Sequence, residues 1–132
     1  MMLNNVRLSL LVLFVLSGIV ACEPRALQLF DKKIATFIVG DEIDFKVFVP
    51  NEWDRAVIFP PYTPKEKLKE VLGQNFKYPT TIETDDSINL VVFLKEEKVV
   101  NYCEISRQQV DFESSNIQEL TYEDSTVNIK NR

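Results

Sequence analysis

The chain contains no histidine, which removes the commonest general base and the commonest metal ligand of proteins. Ser-His and Cys-His nucleophile arrangements are therefore excluded. Glycine is scarce, since only Gly18, Gly40 and Gly73 occur in 132 residues, and no phosphate-binding loop can be built from them. The two cysteines cannot supply the ligand spacing of a zinc site. These absences predict a protein that is not an enzyme and holds no metal or cofactor.

Carboxylates are the remaining candidates for catalysis. Asp85-Asp86 and Glu96-Glu97 are adjacent pairs, and neighbours on a strand point to opposite faces, so the members of each pair need not converge. The alternating oxygen ligands of a calcium loop are missing around Asp85-Asp86, and nothing indicates a glycosidase pair assembled from distant residues. We interpret both pairs as solvated loop charges.

The first 21 residues have the pattern of a secretory signal peptide. Arg7 precedes an almost unbroken apolar run from Leu8 to Leu16, which matches a charged n-region and an apolar h-region. The apolar run to Ala21 is shorter than the roughly 20 residues that a membrane-spanning helix needs. We predict a cleaved signal peptide (1–21), a lipidated tether (22–27) and a single α+β domain (28–132).

The end of this run, Ile19-Val20-Ala21-Cys22, resembles the lipobox of bacterial lipoprotein signal peptides, although leucine is commoner than isoleucine at the Ile19 position. The resemblance implies cleavage before Cys22, a thioether-linked lipid on its sulfur and acylation of the new amino terminus. Several acyl chains make membrane attachment stable, whereas one holds a protein only marginally. The alternative is an ordinary signal peptide cleaved nearby, with Cys22 incidental. The lipoprotein interpretation predicts an extracytoplasmic domain of the cell envelope, on either the outer or the cytoplasmic membrane.

The charge balance is acidic. Without residues 1–21 the chain has 14 basic and 20 acidic side chains, a formal charge of −6. Such a surface argues against nucleic acid and against an anionic lipid face as partners, and it suits a cationic protein. We therefore predict a protein partner in the envelope, and the sequence gives no indication of the oligomeric state.

The stretch from Trp53 to Gly73 has the clearest structural pattern. Its apolar run, Ala56 to Phe59, predicts a strand buried on both faces. A helix follows, for which we predict Thr63 as the N-cap, Pro64 at the first position and Glu66 completing a capping box. Leu68, Val71 and Leu72 form its apolar stripe, and Gly73 ends it in the left-handed conformation.

The remaining segments predict mostly strands. Residues 26–37 have helical apolar spacing, although 36–39 could equally form a strand, and Gly40-Asp41 predicts a turn. Ile43 to Val49 alternates as a strand does. Ile88–Leu94 and Val99–Ile105 predict a hairpin around a charged loop that lacks the Asn-Gly pattern of a tight two-residue turn. Weaker strands are predicted near 110–112, 120–122 and 126–129, and 74–87 predicts an irregular connection.

Successive strands with short connections predict an α+β fold, in which a mainly antiparallel sheet has one or two short helices packed on one face. Cys103 lies in one of these strands. If Cys22 carries lipid, Cys103 has no disulfide partner in the chain. We predict that its thiol is buried and acts as a small apolar side chain.

One constellation is a candidate binding site. Trp53, Asp54 and Arg55 are followed by Tyr62, and exposed tryptophan, tyrosine and arginine are enriched in binding hot spots. In the alternative interpretation, which we favour, Trp53 and Tyr62 pack against the helix while Asp54 caps a turn or pairs with Arg55.

The same stretch resembles small, functionally uncharacterised bacterial exported proteins and lipoproteins that share the pattern W-D-x-x-hydrophobic-hydrophobic-F-x-P-Y-T before a short helix ending in Leu-Gly. The hairpin from Leu90 to Tyr102 fits their later half. The resemblance covers roughly half of the mature chain and implies no catalytic residues. The matching positions are Trp53, Asp54, Ile58, Phe59, Pro61, Tyr62, Thr63, Leu72 and Gly73.

Two functions are compatible with these observations. The favoured one is a membrane-anchored, non-enzymatic protein-binding domain of the adaptor, inhibitor or immunity type. The alternative is an envelope hydrolase or small-ligand carrier, which requires a concave pocket lined by Trp53, Tyr62 and a converging carboxylate.

Overall fold

A computed structural model describes residues 25–26, 38–48, 52–73 and 76–130. The signal peptide, Cys22 and most of the predicted 26–37 helix lie outside these ranges. The described residues form two mainly antiparallel sheets and two short helices, which confirms the predicted α+β class. In chain order the elements are β1 (Arg25–Ala26), β2 (Ile38–Val39), β3 (Glu42–Asp44), α1 (Phe45–Phe48), β4 (Arg55–Phe59), α2 (Lys65–Leu72), β5 (Ile88–Lys95), β6 (Lys98–Ser106), β7 (Gln118–Thr121) and β8 (Thr126–Asn128).

The larger sheet has the strand order β1-β6-β5-β4-β7. Its centre is the predicted hairpin of β5 and β6, in which Val91 pairs with Cys103. Strand β4 pairs with β5 on one side and β7 on the other, and four of its five residues are buried, as predicted. Among the described strands, only β1 runs parallel to its neighbour, β6.

Alternating side chains send the larger sheet's apolar residues into two separate cores. On one face, Val57, Leu90 and Val92 pack with Leu68 and Leu72 of α2. The opposite face packs under the second sheet, whose strand order is β2-β3-β8. The side chains of this second core include Ile43, Phe45, Trp53, Ala56, Ile58, Val91, Phe93, Cys103, Phe112 and Val127. Because each fully buried aliphatic or aromatic side chain contributes about 1.5–3 kcal/mol, both layers that cover the sheet add to its stability.

The predicted strand from Ile43 to Val49 is wrong after Asp44. The chain turns into α1 there because the Asp44 carboxylate accepts hydrogen bonds from the Lys46 backbone N–H (2.9 Å) and the Ser125 hydroxyl (2.5 Å). The first bond is a helix cap, and the second comes from 81 residues away. Ile43 and Phe45 are buried as the alternation predicts, but Val47 is 57% exposed.

The predicted helix exists as α2, but its N-cap was assigned one residue too early. Pro64 is the cap, and its carbonyl accepts hydrogen bonds from Lys67 and Leu68. Thr63 makes no capping bond, since it is buried and its hydroxyl donates to the Pro60 carbonyl at 2.6 Å. Gly73 ends the helix at φ 67° and donates to the Lys69 carbonyl, as predicted.

The turn between β5 and β6 is tight, which contradicts the prediction of a longer loop. Lys95 pairs with Lys98, so only Glu96 and Glu97 connect the strands. Their φ angles of 50° and 64° are both positive, as a type I′ turn requires. Asp54, just before β4, and Arg55, its first residue, both contact this turn.

A β-bulge interrupts the pairing just beyond that turn. Phe93 pairs with Asn101 and Leu94 pairs with Val99, so Val100 is the extra residue. The bulge leaves Val99 and Tyr102 in the helix-side core although they are three residues apart.

The remaining segments agree in part with the predictions from the sequence. Gly40 and Asp41 form the turn between β2 and β3, with Gly40 at φ 63°, and β7 and β8 lie near the predicted last strands. Residues 107–116 form only one bridge, Phe112 with Ile129. Residues 76–87 contain no helix or strand, as predicted. None of the helices in the described ranges has the length and apolar character needed to cross a membrane.

Candidate functional site

The structure separates the four residues predicted as a binding cluster, beginning with Trp53. Its side chain is 3% exposed and packs edge-on against Phe93 (ring centroids 5.4 Å apart) and Tyr122 (5.1 Å). These contacts lie on the face of the sheet opposite α2, so Trp53 does not pack against the helix as the favoured interpretation stated. Its indole N–H is buried and has no hydrogen-bond acceptor among the described residues. Trp53 therefore offers no surface to a partner.

Asp54 and Arg55 organise the surroundings of the β5–β6 turn. The Asp54 carboxylate accepts a hydrogen bond from the Glu96 backbone N–H, so Asp54 caps a turn as the favoured interpretation predicted. Arg55 donates to Glu97 (3.1 Å), Glu119 (2.7 Å) and the Val71 carbonyl (2.6 Å), rather than pairing with Asp54. One guanidinium thus joins the turn, β7 and the end of α2. Both side chains are occupied by intramolecular contacts.

Tyr62 is 59% exposed and lies on the surface just before α2. Its φ of 64° is a left-handed conformation that tyrosine rarely adopts, and its backbone N–H donates to the Ile82 carbonyl at 2.8 Å. With Trp53 in the core and Tyr62 at the surface, these rings do not line a common pocket.

The two acidic pairs noted in the sequence, Asp85-Asp86 and Glu96-Glu97, lie in turns or loops of the structure. Hydrogen bonds from the Ser87 hydroxyl and backbone N–H, and from Thr81, lower the pKa of Asp85 against a smaller effect of desolvation. Glu96 and Glu97 form the tight turn. Within the ranges that the structure covers, no three Cys, Asp or Glu side chains are close enough to hold a metal ion.

A concave surface lies elsewhere, between α2 and the segment from Phe76 to Thr80. It is an open groove of about 440 Å³, within the size range of ligand sites. We name it the lysine groove. Its described lining residues are Lys65, Leu68, Lys69, Phe76, Lys77, Tyr78, Pro79 and Thr80.

Two of the groove's aromatic rings are held by a third ring from β6. Phe76 packs edge-on against Tyr78 (5.2 Å) and Tyr102 (5.6 Å), and Tyr78 stacks on Tyr102 at 5.2 Å with an interplanar angle of 26°. Aromatic pairs at such distances contribute about 0.5–1.5 kcal/mol each beyond area burial. Three mutual contacts therefore fix an otherwise irregular segment, so that this wall of the groove is pre-formed.

The groove has a local positive charge on an acidic protein. Lys65 and Lys69 are exposed one turn apart on α2, and the exposed Lys77 lies on the opposite wall. None of the three forms an ion pair with another described residue, whereas the neighbouring Lys67 pairs with Glu70 at 3.3 Å. None of the eight described lining residues is acidic. The groove therefore combines three lysines that form no described ion pair with the half-buried rings of Phe76 and Tyr78.

The sequence did not predict this site. Leu68 is part of the predicted apolar stripe of the helix, and residues 76–80 belong to the predicted irregular connection. One pattern pointed to it, because Lys65 and Lys69 at helical spacing precede the aromatic-basic triplet Phe76-Lys77-Tyr78. Nothing in the sequence indicated that the triplet folds back over β6.

A second charged cluster, near the end of β6, has a structural role. Asp111 accepts two hydrogen bonds from the Arg107 guanidinium (3.1 and 3.0 Å) and one from the Asn89 amide (3.3 Å), and Lys130 lies 3.6 Å away. Burial raises the pKa of Asp111, but these hydrogen bonds and positive charges outweigh it, so that the pKa lies below its ordinary value. The carboxylate thereby holds the turn after β6 against β5.

Comparisons of the chain with protein families, curated proteins and solved structures find no match. The resemblances to a lipobox and to small exported proteins therefore stay predictions.

Proposed function

We propose that the protein is a lipid-anchored domain of the cell envelope that binds a protein partner without catalysing a reaction. The observation that carries the binding function is the lysine groove, where Lys65, Lys69 and Lys77 stand without ion-pair partners among the described residues, beside fixed aromatic rings. Charged and aromatic groups held in a pre-formed concavity are typical of a recognition site.

The proposed anchor rests on the sequence of residues 1–22. Strand β1 begins three residues after Cys22, and three residues span at most about 11 Å. A lipid on Cys22 would therefore hold the edge of the larger sheet close to the membrane surface. The side chain of Tyr102, whose residue pairs with Ala26 of β1, packs against the groove rings, so the groove would lie near the same edge.

The proposal of a non-enzymatic role is supported by the chemistry of the groove. Its lysines have no carboxylate or thiol among the described lining residues with which to form a nucleophile–base pair. The predicted hydrolase pocket required Trp53 and Tyr62 together, and Trp53 is in the core. Adaptors, inhibitors and immunity proteins all act through a surface that binds a specific protein.

The anchor is tested by expressing the full chain and its Cys22→Ser variant in a bacterium. We expect the wild-type chain in the membrane fraction, with the mass of a polypeptide that begins at Cys22 and carries acyl chains. The variant is expected to lose that mass and that fractionation. Equal membrane association and equal processing of both chains would refute the anchor.

The binding function is tested by in-cell cross-linking of the full chain, followed by quantitative mass spectrometry. Lys65→Gln/Lys69→Gln is compared with the matched control Lys95→Gln/Lys98→Gln, which makes the same charge change at the β5–β6 turn. We expect one stoichiometric partner that is retained by the control and reduced in the groove variant. Recovery of no stoichiometric partner with any of the three proteins would refute a protein-binding function.

A further inference from the structure

We infer that the lysine groove takes an extended, acidic peptide segment of the partner protein, with carboxylates at alternate positions. This inference rests on the proposed function, because it assigns a chemistry to the surface proposed there. It replaces the cationic partner that the net charge predicts with an acidic one at this surface.

The charge of the groove, rather than the net charge of the chain, determines the sign of the charge expected on the ligand. The formal charge of −6 without residues 1–21 opposes an acidic partner at long range, but ionic screening at physiological salt reduces interactions beyond about 8 Å. A carboxylate inside the groove is nearer than that to three lysines that form no ion pair with a described carboxylate, although Glu66 and Glu70 lie beside two of them on α2. The groove therefore attracts anions although the whole chain is acidic.

The spacing of the lysines is compatible with an extended peptide. Lys65 and Lys69 are four residues apart on α2, so that their backbone positions differ by about 6 Å along the helix axis. Alternate side chains of an extended strand point to the same side at intervals of about 6.6–6.8 Å. Carboxylates at positions i and i+2 of a bound segment therefore match the two lysines, and Lys77 on the facing wall is available to a third acidic group.

The burial of the apolar groups argues for a polypeptide rather than an anionic bilayer surface. Phe76 and Tyr78 are half-buried in the wall of the groove, and Leu68, at 2% exposed, lies beneath the surface. The described large apolar side chains that are exposed, Val39, Val47 and Tyr62, do not line the groove. A peptide can place side chains between the lysines and against the accessible parts of the two rings, whereas a bilayer surface presents its headgroups to the rim only.

The test measures fluorescence anisotropy of a fluorescein-labelled peptide, Glu-Leu-Glu-Leu-Glu-Leu, against the full chain purified in zwitterionic detergent. A Lys-Leu repeat of the same length is the control peptide. We expect the acidic peptide to bind and the basic one not to bind. Lys65→Gln/Lys69→Gln is expected to weaken binding about tenfold, or about 1.4 kcal/mol, while Lys95→Gln/Lys98→Gln leaves it unchanged. All four lysines are exposed, and circular dichroism checks that both variants keep the fold.

Three outcomes would overturn the inference. The first two are no binding of the acidic peptide and equal weakening of its binding by the two double variants. The third is that the protein binds micelles containing phosphatidylglycerol more tightly than phosphatidylcholine micelles, and that this difference requires Lys65 and Lys69. The last would assign the groove to an anionic lipid surface. These failures are distinct from failure of the proposed function, because cross-linking can still recover a partner that uses another surface.

Discussion

Asp54 holds the turn between β5 and β6, since its Oδ2 accepts a hydrogen bond of 2.9 Å from the backbone N–H of Glu96, 42 residues away. We expect Asp54→Ala to lower the free energy of unfolding by about 1 kcal/mol, the usual net value of such a bond. Asp54→Asn keeps an oxygen acceptor and should lose less. Urea denaturation measures both, and equal losses would show that the hydrogen bond is not what Asp54 contributes.

The sequence of that turn is poorly suited to its backbone. Positive φ angles at Glu96 and Glu97 cost non-glycine residues roughly 1–2 kcal/mol each, whereas Asn-Gly is the preferred type I′ sequence. We expect Glu96→Asn/Glu97→Gly to raise the free energy of unfolding by about 1 kcal/mol, measured by chemical denaturation. Glu97→Gln is the control, because it removes only the ion pair with Arg55. A net loss in the double variant would mean that this ion pair matters more than the turn conformation.

Asp111 should make stability depend on pH. Its pKa is lowered in the folded protein from the ordinary 3.8, because the hydrogen bonds and charges of its neighbours outweigh the effect of burial. A depressed carboxyl pKa stabilises the fold at pH values above 3.8 and loses that effect as the pH falls through the folded-state value. We expect the stability difference between wild type and Asp111→Asn to shrink below about pH 4. Denaturation midpoints from pH 7 to pH 2.5 test this, and a constant difference would contradict it.

Replacing Gly73 should lower the stability of the fold because of its backbone conformation. Its φ is 67°, and a Cβ atom there would meet no atom within 4 Å, so that crowding is not the constraint. We expect Gly73→Ala to lower the free energy of unfolding by about 1 kcal/mol. Gly73→Asn should lose less, because asparagine tolerates the left-handed conformation better. Thermal denaturation compares the two, and a larger loss for asparagine would refute the conformational explanation.

Trp53 is the sole tryptophan of the chain, so its fluorescence tests directly whether this side chain is buried in the core. Since it is 3% exposed between Phe93 and Tyr122, its fluorescence should be blue-shifted and poorly quenched by acrylamide, and unfolding should remove both properties. Strong quenching in the folded protein would instead support an exposed tryptophan in a binding surface.

The sequence predicted those elements whose determinants are local. Short apolar runs located β4 and the β5–β6 hairpin, and Gly73 correctly ended α2. The failures at Asp44 and at Glu96-Glu97 have a common cause, because each conformation depends on a partner far along the chain, Ser125 in one case and Asp54 in the other. A pattern within a short window cannot contain such a partner.

The candidate site was less predictable than the fold. Trp53, Asp54 and Arg55 have the residue types of a binding surface, but tertiary contacts use all three within the protein. The lysine groove arises because Tyr102, on β6, packs against Phe76 and Tyr78. Its lysines therefore became recognisable as one site only from the fold.

The bulge at Val100 reconciles the positions of two buried side chains with the alternation of a strand. Between the turn and Tyr102 the strand contains one residue more than its partner requires. Deleting Val100 would place Val99 two residues before Tyr102, the spacing at which side chains of a regular strand share a face, so that both would stay in the helix-side core and the ladder would lose only its irregularity. A one-residue slip of the regular ladder would instead move a whole row of side chains to the other face.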